Sequence, residues 1–509
     1  MNTTIIAPLI KLIKNAGVEY AFIGAGSRST ALIQEIDHQG IKVNPFFDER
    51  AVAFIALGYT KISQKPSLIV TTSGSAVSNL YPAITEAANS YYPLIVLTAD
   101  RPRRLQLTSA NQTINQTKKF NNVIAEIHVP ESCDQNNRFM DQVNDALLRQ
   151  NTFGGVIHIN CPLEDPVAFP YNPENNRLQQ LPKINSNSQN ELLSIQIINK
   201  INAAKSGLLC IGQTEPFVNA SDIQNVIKFF NWPTVVDVTH HSAKQLPNVA
   251  QSADDAAVIL DQCEPDLIIY IGGPWVSKKM AQYIEQQSTQ VIHISKSYRP
   301  VVPLPQGTSR ISLNALCGCQ PLPSSILDIN QLNQITKNRI ANDCESEFSQ
   351  IRNVFLDLPQ VDCFIANSQP IRYVDQLCLP NVRDLFCNRG ASGIDGNIAT
   401  IAGLCMIETS VPIIGIVGDL AALYDLNAFI CLKQARRPFI IIILNNGGGG
   451  IFEKLPIART YEKFDSHFKL KHQQKLVPIL KGMGIECHQV TKLNSLNIKK
   501  TSKVIEILV

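Results

Sequence analysis

The sequence contains no apolar run long enough to cross a membrane. Its longest aliphatic stretch, at residues 439–444, is far shorter than the roughly 18 residues that a membrane helix needs. The N-terminal residues carry Lys11 and Lys14 inside an apolar pattern and offer no small-residue cleavage site, which favours an amphipathic helix over a signal peptide. We therefore expect a soluble protein with no membrane partner.

The sequence also has little excess of charge of either sign. The 45 Lys and Arg residues nearly cancel the 42 Asp and Glu residues and leave a net charge of +3, which excludes bulk attraction to nucleic acid. Paired cysteines are absent as well, since the 13 cysteines are an odd number and contain no CxxC pair. This pattern is typical of a reduced, cytoplasmic protein.

The chain does contain a repeated α/β pattern. Short apolar runs alternate with longer helical patterns, which is typical of parallel sheets covered by helices on both faces. The candidate strands are residues 19–23, 67–70, 94–97, 156–159, 207–211, 233–238, 266–271, 290–294, 384–387, 412–417 and 439–444. A Pro- and Asn-rich stretch at 170–187 predicts a linker. Because 509 residues exceed one core, we expect three α/β domains with doubly wound sheets, at residues 1–180, 187–340 and 346–509.

Two strand patterns of the third domain end in polar residues. Gly418 and Asp419 follow one strand, Asn445 and Asn446 follow the next, and residues 420–433 are long enough for one crossover helix between them. Each pair alone is ordinary turn chemistry. Together they place oxygen ligands for Mg²⁺ at neighbouring strand ends, where α/β sheets bind ligands, and the glycines at 447–450 allow a diphosphate to approach the backbone. The arrangement resembles the thiamine-diphosphate motif.

A third polar strand end occurs in the first domain. Residues 43–47 form a strand pattern that leads into Asp48, Glu49 and Arg50, and a helical pattern follows at 51–59. Acids at a helix start are favoured by capping and by the helix dipole, so Glu49 could be purely structural. Alternatively, Glu49 is catalytic and hydrogen-bonds the aminopyrimidine ring of thiamine. The sequence leaves both interpretations open.

The turn at residues 24–29 contains two of the three glycines of a dinucleotide fingerprint, but Ser29 replaces the third. The signal for a nucleotide site is therefore weak. Arg28 on this turn is better suited to hold a carboxylate through a bidentate guanidinium fork.

Several stretches together resemble the family of 2-succinyl-5-enolpyruvyl-6-hydroxy-3-cyclohexene-1-carboxylate synthases, thiamine enzymes of menaquinone biosynthesis. They lie in the first and third domains, and the middle domain resembles the family only weakly. They are GSRST at 26–30, FDERA at 47–51, TSGSAVSNLYPAITEA at 72–87, LTADRP at 97–102, ANQTI at 110–114, NRGASGIDG at 388–396, GDLAALYDLNA at 418–428 and NNGGGGIF at 445–452.

The resemblance implies decarboxylation of 2-oxoglutarate and 1,4-addition of the resulting carbanion to isochorismate, by a homodimer or tetramer with sites at subunit interfaces. It implies thiamine diphosphate and Mg²⁺ or Mn²⁺ as cofactors, Glu49 as the catalytic activator, and Asp419, Asn446 and the Gly448 carbonyl as metal ligands. The expected cofactor-binding residues are Glu49, Ser392, Gly393, Ile394, Gly418, Asp419, Leu420, Asn446 and Gly448. The expected substrate-binding residues are Ser27, Arg28, Arg101, Asn111, Gln112, Arg299, Ser368, Arg372, Arg389, Ile451 and Phe452.

Local chemistry agrees with part of this set. Both substrates are dicarboxylates, and arginine forks supply the positive charge that the net balance does not. Ser368 and Arg372 stand four residues apart at the start of a predicted helix, with Pro370 early in it, so they would share a face. The sequence departs from the family at Gly447 and Gly450, where an Asn and a Gln are usual, which predicts a looser hold on the second substrate and a more mobile loop.

Three alternatives compete with this interpretation. A relative of acetolactate synthase, or a simple 2-oxo acid decarboxylase, would share the cofactor but not the arginines within the matched motifs. An oxidoreductase built on the turn at residues 24–29 would need an intact fingerprint. A catalytically silent binding protein is disfavoured because Glu49, Asp419 and Asn446 are all present.

Overall fold

The computed structural model describes residues 5–106, 108–164, 193–298, 300, 302–305, 307–343, 346–493, 496 and 502–508. The strands of these residues form three six-stranded sheets, in which every strand pair is parallel. Helices alternate with the strands, so the predicted α/β fold class is confirmed. In the described part of the chain, no helix is both long and apolar enough to span a membrane.

The first sheet is built from residues 20–162 and has the strand order β2-β1-β3-β4-β6-β5. Its strands are β1 Tyr20–Gly24, β2 Lys42–Pro45, β3 Ser67–Thr71, β4 Leu94–Asp100, β5 Ala125–His128 and β6 Val156–Pro162. Its helices are α1 Ile6–Asn15, α2 Thr30–His38, α3 Glu49–Ser63, α4 Ser75–Asn79, α5 Tyr81–Asn89 and α6 Asn136–Phe153. The expected amphipathic first helix is α1, whose Leu9, Ile10 and Ile13 are buried.

The second sheet has the order β12-β11-β10-β7-β8-β9 and buries both of its faces. Its strands are β7 Gly207–Ile211, β8 Thr234–Val236, β9 Val249–Ala250, β10 Leu267–Ile271, β11 Val291–Ile294 and β12 Thr308–Ser309. Its helices are α7 Ile195–Ala203, α8 Ala220–Phe230, α9 Ala253–Leu260, α10 Lys278–Gln286 and α11 Ile329–Asn342. Alternate residues of one strand enter opposite cores, as Leu208 and Leu209 do, which explains the continuous apolar runs in the sequence.

The third sheet has the order β14-β13-β15-β16-β18-β17. Its strands are β13 Val361–Ile365, β14 Val382–Phe386, β15 Ile413–Gly418, β16 Phe439–Asn445, β17 Cys487–Val490 and β18 Lys503–Leu508. The helices of this part of the sequence are α12 Glu347–Leu356, α13 Gln369–Leu377, α14 Asn397–Leu404, α15 Asp419–Tyr424, α16 Ile457–Thr460 and α17 Leu476–Gly482. When each sheet is numbered from its own first strand, the first and third sheets have the same strand order, a repeat of topology that the sequence does not reveal.

Short helical turns complete the described structure. The 3₁₀ helices are Ser27–Ser29, Arg103–Leu105, Cys133–Gln135, Val238–Gln245, Ser288–Gln290, Leu313–Gly318, Leu426–Gln434 and Gly450–Lys454, and a π-helical turn covers Asp465–Lys469. The strands missed by the sequence analysis are β5, β9, β12, β13, β17 and β18. Two of these, β9 and β12, have only two residues each, too few for a period-2 pattern.

The prediction of one crossover helix at residues 420–433 is wrong. Helix α15 stops at Tyr424, and a 3₁₀ helix continues from Leu426. The break lies at Asp425, whose φ and ψ of −113° and 29° are not helical. Its buried carboxylate accepts a hydrogen bond from the backbone N–H of Ala399 at 2.8 Å, so a tertiary contact replaces a helical turn here.

The chain divides into two compact units. Unit 1 takes its described residues from 1–187, 388–408 and 424–436, and unit 2 takes its described residues from 188–387, 409–423 and 437–509. Unit 1 contains the first sheet, and in it α14 packs along α3. Unit 2 contains the second and third sheets. The three-domain boundaries remain a prediction, and the predicted linker at 170–187 lies outside the described residues.

Candidate active site

In unit 2, the Gly-Asp and Asn-Asn pairs lie at the carboxyl ends of adjacent strands. Strands β15 and β16 pair in parallel, with Gly418 opposite Leu444, so both polar pairs leave the sheet at the same edge. The backbone N–H of Gly448 donates to Oδ2 of Asp419 at 2.9 Å. This hydrogen bond joins the two motifs into one locus, although they are separated by the crossover between the strands.

Asp419 is an almost completely buried carboxylate. Burial raises the pKa of its carboxyl above the usual value, while the N–H groups of Leu420 and Gly448 and the neighbouring His472 act in the opposite direction. The Nε2 atom of His472 lies 3.1 Å from Asp419 Oδ2. Because a buried carboxylate is costly without a positive partner, this position favours a bound cation.

Asn445, the last residue of β16, and Asn446, which follows it, have different environments. Asn445 is buried and its Nδ2 donates to Glu506 Oε1 at 2.7 Å and to the Gln474 carbonyl at 2.9 Å. Asn446 is half-buried, and its side chain makes no hydrogen bond within the described part of the chain. Asn445 therefore anchors the strand end, whereas the Asn446 amide remains available for a ligand.

The glycine run after Asn446 is shaped by close backbone contacts. A Cβ atom on Gly448, whose φ is +146°, would lie 2.5 Å from the carbonyl oxygen of Lys469. A Cβ on Gly450 would lie 2.4 Å from the Asn446 Nδ2 atom. The backbone N–H of Gly449 donates to the Lys469 carbonyl, and that of His472 donates to the Gly447 carbonyl. The backbone of residues 469–472 lies so close to this glycine run that it leaves no space for a side chain at Gly448.

The start of α13 lies beside this loop. Ser368 precedes the helix with a φ of +76°, Pro370 occupies its first turn, and the Arg372 guanidinium donates to the Ser368 carbonyl. The Arg372 side chain thus lies against the backbone of Ser368, while a shared face of the two side chains stays a prediction. A Cβ on Gly450 would lie 3.4 Å from Nε2 of Gln369, and Gly450 begins the 3₁₀ helix that carries Ile451 and Phe452. Phe452 is 36% exposed, so its ring can contact a ligand.

In unit 1, Asp48 and Glu49 have separate roles. Asp48 is the N-cap of α3, and its Oδ1 accepts from the backbone N–H groups of Arg50 at 2.9 Å and Ala51 at 3.2 Å. The Glu49 carboxylate does not cap the helix. Its Cγ lies only 2.6 Å from where a Cβ of Gly24 would be, and its Oε2 accepts a long hydrogen bond of 3.4 Å from Asn79. Because Asp48 supplies the cap, capping does not explain the presence of Glu49 at this position.

The other predicted substrate residues of unit 1 gather at the carboxyl edge of the first sheet. Arg28 is buried, and its Nη1 donates to the Leu163 carbonyl at 2.8 Å just after β6. Ser27 is exposed beside it. Arg101 follows β4 directly, and Asn111 and Gln112 are exposed on the connection that leads to β5.

The loop at 388–396 carries Arg389, Ser392, Gly393 and Ile394. The residue that holds this loop, Glu86, was missed in the sequence analysis. The buried Glu86 carboxylate accepts from the N–H groups of Gly390 at 2.8 Å, Ala391 at 2.6 Å and Ser392 at 3.3 Å. Glu86 lies within the stretch 72–87, but only its tertiary contacts reveal the anchoring. Ile394 in this loop is 36% exposed.

The described predicted residues are therefore divided between the two units. Arg299 lies outside the described residues. His472 was also missed, because a single histidine outside any recognised motif gives no sequence signal. Within the described residues, no cluster of three or more His, Cys, Asp or Glu side chains could hold a metal ion, and the locus at Asp419 contributes only one carboxylate.

Comparisons with known families identify the class. Residues 4–119 match the N-terminal TPP-binding domain of thiamine pyrophosphate enzymes, and residues 376–506 match their C-terminal TPP-binding domain. These two matches contain the Glu49 strand end and the Asp419 locus respectively. The protein thus has the two cofactor-binding domains of the thiamine pyrophosphate enzymes.

Relatives at full length narrow this class. The chain is 31% identical to the Haemophilus ducreyi protein named 2-succinyl-5-enolpyruvyl-6-hydroxy-3-cyclohexene-1-carboxylate synthase. The alignment covers 94% of this chain and 89% of that protein. The corresponding proteins of Actinobacillus pleuropneumoniae serotype 3 and Shewanella frigidimarina are each 30% identical, over 95% and 96% of this chain and 90% and 91% of theirs. The chain belongs to the family of 2-succinyl-5-enolpyruvyl-6-hydroxy-3-cyclohexene-1-carboxylate synthases.

Proposed function

We propose that the protein decarboxylates 2-oxoglutarate and adds the resulting succinyl-semialdehyde carbanion to isochorismate. The products are CO₂ and 2-succinyl-5-enolpyruvyl-6-hydroxy-3-cyclohexene-1-carboxylate, an intermediate of menaquinone biosynthesis. The structural observation that carries the proposal is the Gly448 to Asp419 hydrogen bond, which assembles both halves of the diphosphate motif at one sheet edge. The family supplies the choice of substrates.

The donor set at this edge fits a hard divalent cation. Asp419 offers a buried carboxylate, Asn446 an amide with no hydrogen-bond partner in the described structure, and Gly448 a backbone carbonyl. Oxygen ligands of this kind suit Mg²⁺ or Mn²⁺ and leave coordination places for phosphate oxygens. We therefore propose these three residues as the metal ligands, with Gly418 and Leu420 beside the diphosphate.

Thiamine diphosphate, held by the residues proposed above, would supply a thiazolium carbon acidic enough to become a nucleophile after deprotonation, and a ring that can accept the electrons of the bond to CO₂. In the proposed mechanism, the Glu49 carboxyl exchanges a proton with the aminopyrimidine ring. The Asp48 cap is compatible with this role, because the first N–H groups of α3 are capped without the Glu49 carboxylate. Ile394, with Ser392 and Gly393 beside it, would support the cofactor from a loop that Glu86 holds in place.

Arginine side chains would bind the carboxylates of both substrates. We propose this role for Arg28, Arg101, Arg372 and Arg389, and for Arg299 outside the described residues. Ser27, Asn111, Gln112 and Ser368 would add neutral hydrogen bonds, and Ile451 and Phe452 would form an apolar wall. Guanidinium groups bind carboxylates through two parallel hydrogen bonds, which orients the substrates as well as holding them.

The proposal includes a homo-oligomer, a dimer or tetramer with sites at subunit interfaces, in the cytoplasm. Light scattering at known protein concentration tests the first point, and fractionation of cells that express the protein tests the second.

The reaction itself is tested by supplying 2-oxoglutarate, thiamine diphosphate and Mg²⁺ with and without isochorismate, while CO₂ and the adduct are followed. We expect adduct formation that requires both substrates. Release of CO₂ without adduct would support the simple decarboxylase instead. Flavin in the purified protein would support a relative of acetolactate synthase.

A further inference from the structure

The connection from β4 to β5 carries three of the proposed substrate residues, Arg101, Asn111 and Gln112. We define residues 101–106 and 108–118 as the contact segment. Apart from the 3₁₀ helix at Arg103–Leu105, these described residues form no helix or strand. Their backbone groups therefore lack the regular hydrogen bonds of a helix or sheet, and the conformation of the segment must depend on side-chain contacts.

A continuous chain of buried polar side chains lies beneath the contact segment. Asp100, Asn160 and Gln116 are each only 1% exposed. The Asn160 Nδ2 donates to Asp100 Oδ2 at 2.8 Å, and the Gln116 Nε2 donates to Asn160 Oδ1 at 2.9 Å. These two hydrogen bonds connect the end of β4, through β6, to the far end of the contact segment. We call these three side chains the polar chain.

One end of the polar chain fixes Arg101. Oδ1 of Asp100 accepts from the Arg101 backbone N–H at 2.7 Å, and Oδ2 accepts from Nε2 of Gln106 at 2.9 Å. The same Gln106 amide donates to the Arg101 carbonyl at 2.9 Å. Both backbone groups of Arg101 are thus held, while its buried Nε atom has no hydrogen-bond partner among the described residues.

The other end fixes the turn against which Gln112 packs. Oε1 of Gln116 accepts from the backbone N–H of Gly74 at 3.1 Å. Beside it, Gln112 Nε2 donates to the Ser73 carbonyl at 2.9 Å, and Ser73 Oγ donates to the Gln112 carbonyl at 3.0 Å. A Cβ on Gly74 would lie 2.8 Å from Gln112 Cγ, so the turn and Gln112 are in close contact. Gln116 thereby holds the surface on which Gln112 rests.

We infer that Asp100, Asn160 and Gln116 are positioning residues, which set Arg101 and Gln112 in the geometry that binds the dicarboxylate substrates. This inference rests on the proposed function, which makes Arg101 and Gln112 substrate contacts. None of the three is exposed enough to bind substrate itself. Each polar group of these three side chains has a hydrogen-bond partner, so the network specifies one arrangement. Losing one side chain leaves the polar groups of the others unsatisfied in a buried environment.

A matched control lies at the opposite edge of the same sheet. Gln116 Nε2 donates to the Ala99 carbonyl at 3.1 Å as well as to Asn160 Oδ1. Gln150 is also buried, and its Nε2 likewise donates to two acceptors, the Leu94 carbonyl at 3.0 Å and the Gly155 carbonyl at 2.7 Å. Leu94 begins β4, whereas Asp100 ends it. Gln150→Leu therefore removes the same chemical group from the same sheet without touching the contact segment.

The experiment compares Gln116→Leu and Gln150→Leu by hydrogen–deuterium exchange, thiamine-diphosphate binding and steady-state kinetics. In Gln116→Leu we expect faster exchange in peptides covering residues 101–118, unchanged cofactor affinity, and a KM for at least one dicarboxylate raised roughly 10- to 100-fold with little change in kcat. Gln150→Leu should leave exchange in that segment and both KM values as in the wild type. Gln116→Glu, which keeps the shape and the acceptor for Gly74, serves if the leucine variant does not fold, and the same pattern is expected.

Equal KM changes in both glutamine variants would overturn the inference, since they would report general loosening of the sheet. An unchanged KM in the Gln116 variants would overturn it too. If the wild-type protein forms no adduct, the proposed function fails. The exchange measurement then decides alone, because loosening confined to residues 101–118 supports the polar chain and unchanged protection there refutes it.

Discussion

The carboxylate of Asp48, and not that of its neighbour Glu49, caps helix α3. Asp48 accepts the N–H groups of Arg50 and Ala51, whereas Glu49 packs against Gly24 at the end of β1. Two adjacent acids at one helix start therefore have different environments. The difference makes their structural and catalytic roles separable by experiment.

We expect Glu49→Gln to leave stability nearly unchanged, because it removes no cap. If Glu49 exchanges a proton with the cofactor, turnover and hydrogen–deuterium exchange at C2 of bound thiamine diphosphate should fall beyond the roughly 10²–10⁴-fold of ordinary acid–base assistance. Asp48→Ala is the matched control and should cost about 1 kcal/mol of unfolding free energy through the lost cap. Near-wild-type C2 exchange in Glu49→Gln would remove Glu49 from the mechanism.

Asn445, which ends β16, and the following Asn446 give a second paired test. Asn446→Ala, like Asp419→Ala, should abolish Mg²⁺-dependent binding of thiamine diphosphate in titration calorimetry while the protein stays folded, because the diphosphate needs the metal bridge. Asn445→Ala should instead lower the unfolding free energy by roughly 1–3 kcal/mol, because a donor to the buried Glu506 is lost. Wild-type cofactor affinity in the Asp419 and Asn446 variants would rule out these metal ligands.

Arg372→Ala tests the proposed carboxylate contact at the start of α13. Loss of one charge-assisted contact should weaken the use of a dicarboxylate by roughly 1.5–3 kcal/mol, with cofactor affinity unchanged. Arg383→Ala is a suitable control, because Arg383 makes two hydrogen bonds to Asp362, at 2.8 and 2.7 Å, within the third sheet. That variant should lose stability and keep its KM values. Unaltered kinetics with both substrates in Arg372→Ala would make Arg372 structural.

Asp425 predicts a defined dependence of stability on pH. Burial raises the pKa of its carboxyl from 3.8 to about 6, with the Ala399 N–H and Arg50 opposing the shift. Since the folded state holds this proton more tightly than the unfolded state, the contribution of Asp425 is most favourable below about pH 4. It should decline by about 3 kcal/mol as the pH rises to about 6.

The measurement is the unfolding free energy of wild type minus that of Asp425→Asn, determined by denaturant titration between pH 4 and 7. The difference should fall across the lower part of this range and level off above about pH 6. Asp261→Asn, which changes an exposed carboxylate, controls for the change in net charge. A difference that rises with pH would have the wrong sign for a raised pKa and would refute the assignment.

Much of the fold could be predicted because buried parallel strands leave a strong local pattern. The runs that form β4, β6, β7, β10 and β16 are buried along their whole length and were recognised as continuous apolar stretches. Strand β5 has a mixed polar pattern, Ala-Glu-Ile-His, and was missed. At the site, the motifs located Asp419, Asn446 and Glu49 but not Glu86 or His472, whose roles depend on partners distant in sequence.

By itself, the sequence determined the α/β class, the positions of the polar strand ends and the family, because these depend on local burial patterns and short motifs. The tertiary structure alone decided the shared strand order of the first and third sheets, the break at Asp425 and the division of roles between Asn445 and Asn446. In each case the deciding contacts join residues that are distant in the sequence, and the two asparagines show this most directly. Two adjacent residues of one chemical type have identical local preferences, and they are distinguished only by groups that folding brings to one of them, as Glu506 is brought to Asn445.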